Sequence, residues 1–220
     1  TITRCMDQVL AGREISREEA ETLFAAGKEE PFFLMAAADR IRKTFCGDQM
    51  RFCSDVNARS GRCTENCKFC AQSGWYNTGA KVYRLLPEEE ILAAAKKAKE
   101  AGAVRFSLVT SGRNQDNPNE FDEIIDIVKK IREQVGIEVC CSLGLISKEQ
   151  ALQLKEAGIT RIHCNIETSP SYFPESARRI RWRIRKISFI PRSRQGSACA
   201  PAGSSGSGSL WISGWRWLST

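Results

Sequence analysis

Strand and helix signals alternate along the first 175 residues, and this alternation restricts the possible folds more than any other feature of the sequence. Short apolar segments that suit strands occur at residues 51–57, 104–109, 137–143 and 160–166. Helical segments with recognisable ends separate them at residues 87–102, 121–135 and 148–157. A β-α-β-α-β-α-β order with short connections predicts a parallel sheet with right-handed crossovers. A doubly wound sheet and a barrel both fit this pattern.

Two further helices are expected before the first strand. Ser16 and Glu19 form a capping box that starts one helix. Pro31 suits the first turn of a second helix, which Gly47 ends. We therefore expect an N-terminal helical segment over residues 1–50.

The charge of the chain changes abruptly after Glu175. Up to that residue there are 24 basic and 26 acidic side chains, whereas residues 176–220 hold nine basic side chains, no acidic one and four of the five tryptophans. The formal net charge of +7 therefore belongs to this tail. No run approaches 18 consecutive apolar residues, which argues against a membrane span, and no secretory signal is recognised. Ten cysteines in such a chain favour reduced thiols or metal ligands in the cytoplasm.

A long loop, roughly residues 58–82, follows the first predicted strand and carries the chemistry. Its centre, Cys63-Thr-Glu-Asn-Cys67-Lys-Phe-Cys70, is a C-x3-C-x2-C pattern that can bring three thiolates to one metal centre. A structural zinc site takes four ligands, and no second Cys pair is obvious. A [4Fe–4S] cluster also normally takes four thiolates, so three would leave one iron open to a substrate or cofactor. Inert buried thiols are a weaker interpretation, because a hydrophilic loop is a poor place for them.

The same pattern resembles the signature of the radical S-adenosylmethionine (SAM) enzymes, in which an aromatic residue precedes the third cysteine, as Phe69 does here. Flanking segments narrow the resemblance to the biotin synthase family. These segments are Asn57-Ala-Arg-Ser-Gly-Arg-Cys63, Cys70-Ala-Gln-Ser, Tyr76-Asn-Thr-Gly79, Ser142-Leu-Gly-Leu and Asn165-Ile-Glu-Thr-Ser169. The resemblance implies a (β/α)8 barrel whose site lies at the C-terminal ends of the strands. We therefore expect an α/β protein in which residues 51–175 form the first half of such a barrel.

A first iron–sulfur cluster is implied by this resemblance. Cys63, Cys67 and Cys70 would hold a [4Fe–4S] cluster whose open iron chelates S-adenosylmethionine. One electron from the reduced cluster would cleave the sulfonium, and the resulting 5′-deoxyadenosyl radical would abstract hydrogen from unactivated carbons of dethiobiotin. The cofactor supplies the hard chemistry, so the protein's part is placement and the exclusion of water.

Residues for the cofactor and the substrate are implied in the same way. Those that would contact S-adenosylmethionine are Phe69, Tyr76, Asn77, Thr78, Gly79 and Glu167. Asn165 and His163 would meet the substrate. Alternate residues of a strand point to one face, so the sequence predicts that His163, Asn165 and Glu167 share a face of the last strand. The family often has Asp where this chain has Glu167.

Sulfur would come from an auxiliary iron–sulfur cluster, of [2Fe–2S] or variant type. Cys140 matches one family ligand of that cluster, but Ser107 stands where many members have Cys. Either the chain belongs to a subgroup with a different auxiliary cluster, or Cys141 or another group replaces the missing ligand.

The resemblance also implies partners. These are dethiobiotin as substrate, an electron donor such as flavodoxin or ferredoxin, and a second copy in a homodimer, with a cytoplasmic location and no membrane or nucleic-acid partner. Two alternatives stay open. One is another radical SAM enzyme, such as a lipoyl synthase or a hydrogenase maturase. The other is a zinc-binding nucleic-acid module whose basic, Trp-containing tail pairs with phosphates and stacks on bases.

The tail at residues 176–220 resembles a coding sequence read in a shifted frame. Permitted codons for residues 198–209, read two bases later, spell V-C-S-G-G-I-I-G-I-G-E, which resembles the continuation of the biotin synthases and includes an auxiliary-cluster cysteine. A one-nucleotide deletion near codon 176 accounts for the lost acids, the tryptophans and the lost periodicity together. A (β/α)8 barrel needs about 250 residues. We therefore expect the chain as written to be truncated, with only the first half of the barrel in frame, and inactive in sulfur insertion.

Overall fold

A computed structural model describes residues 1–165 and 167–179 of the chain. Its contacts separate a first unit, Thr1–Met50, from a second unit that begins at Arg51. The first unit contains helices α1 (Ile2–Leu10), α2 (Arg17–Glu29) and α3 (Pro31–Cys46). The second unit contains β1 (Cys53–Arg59), α4 (Glu88–Glu100), β2 (Arg105–Thr110), α5 (Pro118–Lys130) with a π-helical turn (Ile131–Val135), β3 (Glu138–Ser142), α6 (Lys148–Glu156), β4 (Arg161–Ile162) and α7 (Phe173–Ser176). Most of the predicted shifted-frame tail lies outside the described residues.

The two helices predicted in the first unit are present as α2 and α3. The Ser16 hydroxyl accepts the Glu19 N–H at 3.1 Å, and the Glu19 carboxylate accepts the Ser16 N–H at 2.8 Å, so the predicted capping box is confirmed. Helix α1 is not predicted, because no side chain caps its start. Within this unit Ile2, Met6 and Ala37 form a small apolar core. None of the described helices is long and apolar enough to cross a membrane.

The four strands form one parallel sheet in the order β1-β2-β3-β4. Helices α4, α5 and α6 connect successive strands. A doubly wound sheet reverses its strand order at a switch point, whereas in a barrel each strand lies beside the one that precedes it. The order therefore favours the barrel, and these residues form one part of a (β/α) barrel wall.

The two faces of the sheet differ in chemistry. One face packs on the helices and forms the main hydrophobic core, in which Phe106, Leu108, Val139 and Cys141 are all at most 1% exposed. Ile91 of α4 and further apolar residues of α5 complete that core. Since side chains alternate along a strand, the residues between these point to the other face.

That second face is polar. Asp55 pairs with Ser107, Ser107 with Cys140, and Cys140 with Arg161, so these four residues occupy one register row across the sheet. We call this set the inner row (Asp55, Ser107, Cys140 and Arg161). In a closed barrel, such a row lies in the interior.

The last strand is shorter than the sequence suggests. A strand is expected over residues 160–166, but β4 comprises Arg161 and Ile162 alone. Its neighbour β3 ends at Ser142, and in the described part of the chain no strand pairs with the other edge of β4. The pairing with β3 continues by one backbone hydrogen bond, from the His163 N–H to the Cys141 carbonyl, but the regular strand ends at Ile162.

The segment after β4 is irregular. Glu167 has a φ of +68°, a left-handed conformation that is rare for residues other than glycine and incompatible with a strand. The prediction that His163, Asn165 and Glu167 alternate on one face of a strand is therefore wrong. These residues lie in the chain that leaves the C-terminal end of β4.

Candidate metal centre

The three cysteines of the C-x3-C-x2-C pattern lie in a closed loop, residues 60–83, at the C-terminal end of β1. Ser60 and Tyr83 close its base, since each N–H donates to the other's carbonyl, at 3.1 and 3.2 Å. Within the loop the Cys63 N–H donates to the Gln72 carbonyl at 3.0 Å. We call this segment the cysteine loop. Its base is fixed to the sheet, so the cysteines stand at the edge where a barrel carries its site.

The three thiols differ in exposure. Cys67 is 5% exposed, while Cys63 and Cys70 are half-buried. The Cys70 N–H donates to the Cys67 carbonyl at 3.1 Å, which makes a tight turn around Phe69. The Phe69 ring is exposed. One short segment thus presents three sulfur atoms, two of them reachable from solvent.

The donor chemistry of the loop suits an iron–sulfur cluster better than a single metal ion. Within residues 1–165 and 167–179, no three His, Cys, Asp or Glu side chains converge closely enough to hold one ion. In an iron–sulfur cluster the thiolates bind different irons, so they do not need to meet at one point. Three thiolates in a partly exposed loop fit such a cluster.

The loop is covered on one side by α7 and the residue that follows it. Phe173 and Ala177 are each 1% exposed, and both pack against Cys67 in a small apolar cluster. Leu145, in the connection after β3, joins them. This packing explains why Cys67 is buried although its loop is largely hydrophilic.

The first tail residues also bind the loop. The Asn66 side-chain carbonyl accepts the N–H groups of Arg178 and Arg179, each at 3.2 Å. The Arg179 guanidinium lies 5.1 Å from the Trp75 ring centre, in a cation–π contact. The described beginning of the tail is therefore part of the wall around the cysteines.

The segment expected to contact S-adenosylmethionine, residues 76–79, forms the exposed outer side of the cysteine loop. The Tyr76 hydroxyl donates to the Asn66 carbonyl at 3.1 Å. The Thr78 hydroxyl donates to the Ala71 carbonyl at 2.8 Å. Both bonds hold this segment against the stretch that carries the thiols.

His163, Asn165 and Glu167 are half-buried at the C-terminal edge of the sheet, the same edge from which the cysteine loop projects. Burial lowers the pKa of the His163 imidazole, and the Arg161 and Arg105 guanidiniums lower it further. The ring is therefore neutral at neutral pH. The His163 N–H donates to the Cys141 carbonyl at 2.8 Å, which continues the β3–β4 pairing by one residue.

Cys140 is 1% exposed, in the middle of the inner row. Burial raises the pKa of its thiol, and the Ser107 hydroxyl and the Arg105 guanidinium partly offset that rise. Ser107 is itself 7% exposed, and among the described residues its hydroxyl has no hydrogen-bond partner apart from the neighbouring Cys140 thiol. A buried hydroxyl in this state is costly unless a ligand satisfies it, which suits the place expected for an auxiliary cluster.

Cys141 does not replace the missing ligand at Ser107. Its side chain points away from the inner row into the hydrophobic core, where it is fully buried. Burial strongly raises the pKa of this thiol, which disfavours the thiolate that a metal requires. The proposal that Cys141 substitutes as a ligand is therefore wrong, for the simple reason that adjacent residues of a strand face opposite sides.

Sequence reasoning missed a charged group next to Cys140. Arg105 is buried and its guanidinium binds the Glu138 carboxylate at 2.6 Å, while another of its nitrogens lies 3.8 Å from the Cys53 sulfur. Arg105 and Cys53 face the same side as the inner row, one step towards the start of the strands. Because side chains alternate between the two faces along β1 and β2, the sequence was sufficient to predict that Cys53 and Arg105 lie on this face.

A second missed group lies inside the C-x3-C segment. Glu65 is 4% exposed, and one oxygen of its carboxylate binds the Arg113 guanidinium at 3.0 Å. Arg113 follows β2, so this ion pair joins the cysteine loop to the end of the neighbouring strand. No sequence signal marked it, because the pair is 48 residues apart.

The sequence of this chain is similar to those of known proteins. The family model of the Radical SAM superfamily matches residues 58–191. Biotin synthase 2 of Corynebacterium diphtheriae is 50% identical over 167 residues, which cover 76% of this chain and 49% of that protein. A biotin synthase of Acetivibrio thermocellus is 47% identical over 164 residues, with 74% and 51% covered. One of Rippkaea orientalis is 38% identical over 210 residues, with 93% and 57% covered. The chain thus spans about half the length of the curated relatives it matches.

Solved structures match the fold. A methylornithine synthase superposes with a TM-score of 0.70 at 21% identity, covering 83% of this chain and 53% of that chain. An [FeFe]-hydrogenase maturase from Carboxydothermus hydrogenoformans gives a TM-score of 0.67 at 20% identity, with 84% and 44% covered. At such identities the likeness concerns the fold alone, and it agrees with the sequential strand order described above.

Proposed function

This chain belongs to the radical SAM superfamily, and from that premise we propose that it is part of a biotin synthase, which inserts sulfur into dethiobiotin. The observation that carries the proposal is identity of up to 50% with biotin synthases over three quarters of the chain. The geometry supports it, since the cysteine loop and Cys140 lie on one sheet, at its C-terminal edge and on its inner face.

We propose that Cys63, Cys67 and Cys70 hold a [4Fe–4S] cluster. When bound, this cluster would supply the electron for reductive cleavage of S-adenosylmethionine. The chain's own residues would position the reactants. Phe69 and residues 76–79 lie on the exposed side of the loop, where they are available to contact S-adenosylmethionine, and Glu167 lies at the same edge of the sheet.

The sulfur donor is proposed to lie on the inner row. Cys140 is the thiolate candidate for an auxiliary iron–sulfur cluster, and the unsatisfied hydroxyl of Ser107 is its immediate neighbour in register. Neutral His163 and Asn165 are proposed to meet dethiobiotin at the end of β4. A neutral imidazole can accept or donate one hydrogen bond without adding charge, which suits the ureido group of that substrate.

The wider setting is proposed from the family. It comprises an electron donor such as flavodoxin or ferredoxin, a homodimer and a cytoplasmic location. The superfamily match argues against the zinc-binding nucleic-acid module, because that module has no reason to share the radical SAM sequence pattern over residues 58–191.

The proposal is tested by anaerobic reconstitution with iron and sulfide, followed by addition of reductant, S-adenosylmethionine and dethiobiotin. We expect 5′-deoxyadenosine, methionine and biotin, each identified by mass spectrometry, from the protein with its reading frame restored, and no biotin from the chain as written. Cys63→Ala, Cys67→Ala and Cys70→Ala should each abolish 5′-deoxyadenosine, because each removes a cluster ligand. Cys5→Ala, which changes a thiol outside the site, is the matched control.

Two results would redirect the proposal. Formation of 5′-deoxyadenosine without biotin by the protein with its reading frame restored would leave a radical SAM enzyme with another substrate, and octanoylated carrier protein would then be tested for a lipoyl synthase. Formation of neither product by a protein that holds its cluster would show that the chain as written is inactive, as the shifted-frame hypothesis expects. Colourless protein that binds zinc would reject the proposal altogether.

A further inference from the structure

Three successive carbonyls lie between the first two cysteines of the loop, and each accepts a hydrogen bond from a different side chain of one later segment. The Trp75 indole N–H donates to the Thr64 carbonyl at 2.9 Å. The Ser73 hydroxyl donates to the Glu65 carbonyl at 2.7 Å. The Tyr76 hydroxyl donates to the third carbonyl, that of Asn66, at 3.1 Å.

These bonds restrain the whole x3 part of the C-x3-C pattern. Every carbonyl between Cys63 and Cys67 accepts a hydrogen bond from a side chain of the protein. Fixing a carbonyl fixes the orientation of its peptide plane, because the peptide unit is planar. Three restrained planes in succession narrow the range of separations and relative directions that the two cysteines can adopt.

The middle residue is held from a second side. The Glu65 carboxylate binds Arg113, beyond the end of β2, at 3.0 Å. Glu65 and Ser73 are both about 95% buried, so this part of the restraint is shielded from water. Hydrogen bonds in such surroundings are electrostatically stronger than in water.

Ser73 is also tied to the cysteines themselves. Its N–H donates to the Cys70 carbonyl at 3.2 Å, and it forms a bridge with Cys63. The segment that restrains the x3 residues is therefore anchored at both the first and the last cysteine. One block of chain therefore restrains the backbone that carries all three sulfur atoms.

We propose that Ser73, Trp75 and Tyr76 are positioning residues that hold the three thiols in their ligating arrangement before any cluster binds. The inference rests on the proposed function only for the identity of the cluster. A preorganised site does not lose conformational freedom on binding, so it retains its cluster longer than a flexible site does. Tyr76 thereby has a role in addition to the S-adenosylmethionine contact proposed for it.

The first test uses the full chain without metal. Trp75→Phe removes the donor N–H but keeps an aromatic ring, and because Trp75 is exposed the variant is expected to fold. Buried Cys67 should be alkylated by iodoacetamide about two- to tenfold faster in this variant, since one hydrogen bond of ordinary strength is lost. The rate is measured by peptide mapping. Tyr172→Phe is the control, because it also removes a polar atom from an exposed aromatic residue, but outside the loop.

The second test uses the reconstituted cluster without S-adenosylmethionine, so that cofactor contacts do not contribute. Trp75→Phe and Ser73→Ala should lose visible absorbance to an iron chelator about two- to tenfold faster than the unchanged protein. Their reduction potentials should shift, whereas Tyr172→Phe should match the unchanged protein in both respects. Ser73→Thr, which retains the hydroxyl, should restore slow loss.

Unchanged Cys67 alkylation in Trp75→Phe would overturn the inference, whether or not a cluster assembles. Unchanged cluster loss and potential would overturn it as well, because a contribution to folding alone would alter the melting temperature but not the cluster of the folded protein. Biotin formation plays no part in either test. Failure of the proposed function would give a different result. The chain would hold its cluster, its variants would change Cys67 alkylation and cluster loss as predicted above, and no biotin would form.

Discussion

Cys140 and Cys141 are neighbours in the sequence with opposite surroundings. The Cys140 thiol lies in the inner row beside Ser107, whereas the Cys141 thiol lies in the hydrophobic core. Both are at most 1% exposed, so burial alone does not separate them. What separates them is which face of β3 each occupies, and only the inner face offers polar neighbours.

We predict that serine substitution has different effects at the two positions. Cys141→Ser places a hydroxyl in the apolar core and should lower the free energy of unfolding by about 1–3 kcal/mol, without changing the iron content of the folded protein. Cys140→Ser should change stability less, but in the protein with its reading frame restored it should remove the iron and sulfide of the auxiliary cluster. Urea unfolding and iron analysis measure the two effects. Loss of iron in Cys141→Ser would contradict the assignment of faces.

At the scale of elements, one pair of glutamines joins the ends of two strands to a helix. The Ser147 hydroxyl accepts the Gln150 N–H, and the Gln150 side chain accepts the Ser147 N–H, so α6 begins with a capping box. The Gln150 amide also donates to the Gln115 carbonyl at 2.9 Å. Gln115 in turn donates to Thr110 and Leu143, at the ends of β2 and β3. The C-terminal edge of the sheet is thus held by side-chain amides.

We expect Gln150→Ala to destabilise the protein by about 1–2 kcal/mol, because it removes the reciprocal half of the capping box and the bond to Gln115. The control is Gln153→Ala, on an exposed position of the same helix. Chemical denaturation of both variants, measured side by side, gives the difference. Equal stabilities would show that the glutamine connection contributes nothing.

The sequence predicts elements well where the signal is local. The capping box at Ser16 and the helices and strands up to β3 each depend on a few neighbouring residues, and each is present as expected. The length of β4 depends on what its neighbours supply, which no local pattern contains. The conformation of Glu167 and the Glu65–Arg113 pair depend likewise on contacts distant in sequence. Features set by short-range interactions can therefore be predicted from the sequence, whereas features set by long-range interactions cannot.

At the scale of the whole molecule, the second unit, which begins at Arg51, is a segment of barrel wall with an apolar outer face and a polar inner face. We propose that the change of composition near residue 176 reflects a shift of reading frame. The described residues 176–179 still pack on the cysteine loop, with Ala177 1% exposed. The superfamily match also continues to residue 191. The position of any frameshift therefore has to be determined from the DNA sequence.

Resequencing of the source DNA across codons 170–220 tests this proposal. We expect one additional nucleotide near codon 176, after which the translated chain regains acidic residues, helical periodicity and the V-C-S-G-G motif. The corrected protein should then hold an auxiliary cluster and form biotin. If the printed frame is correct, the tail is genuine, and we would expect the chain to retain at most the first cluster.

The base of the cysteine loop has a consequence for how such proteins diversify. Because Ser60 and Tyr83 close the loop with reciprocal backbone bonds, the 22 residues between them enter and leave the sheet at nearly the same place. Substitutions within this insert can therefore change the cysteine loop without moving the strands. Strand-end positions that do not contact the loop can vary independently of it, whereas Arg113, which binds Glu65, couples the two parts. For the function proposed above, evolution could thus change the substrate at the uncoupled strand ends while the cysteine loop is inherited unchanged.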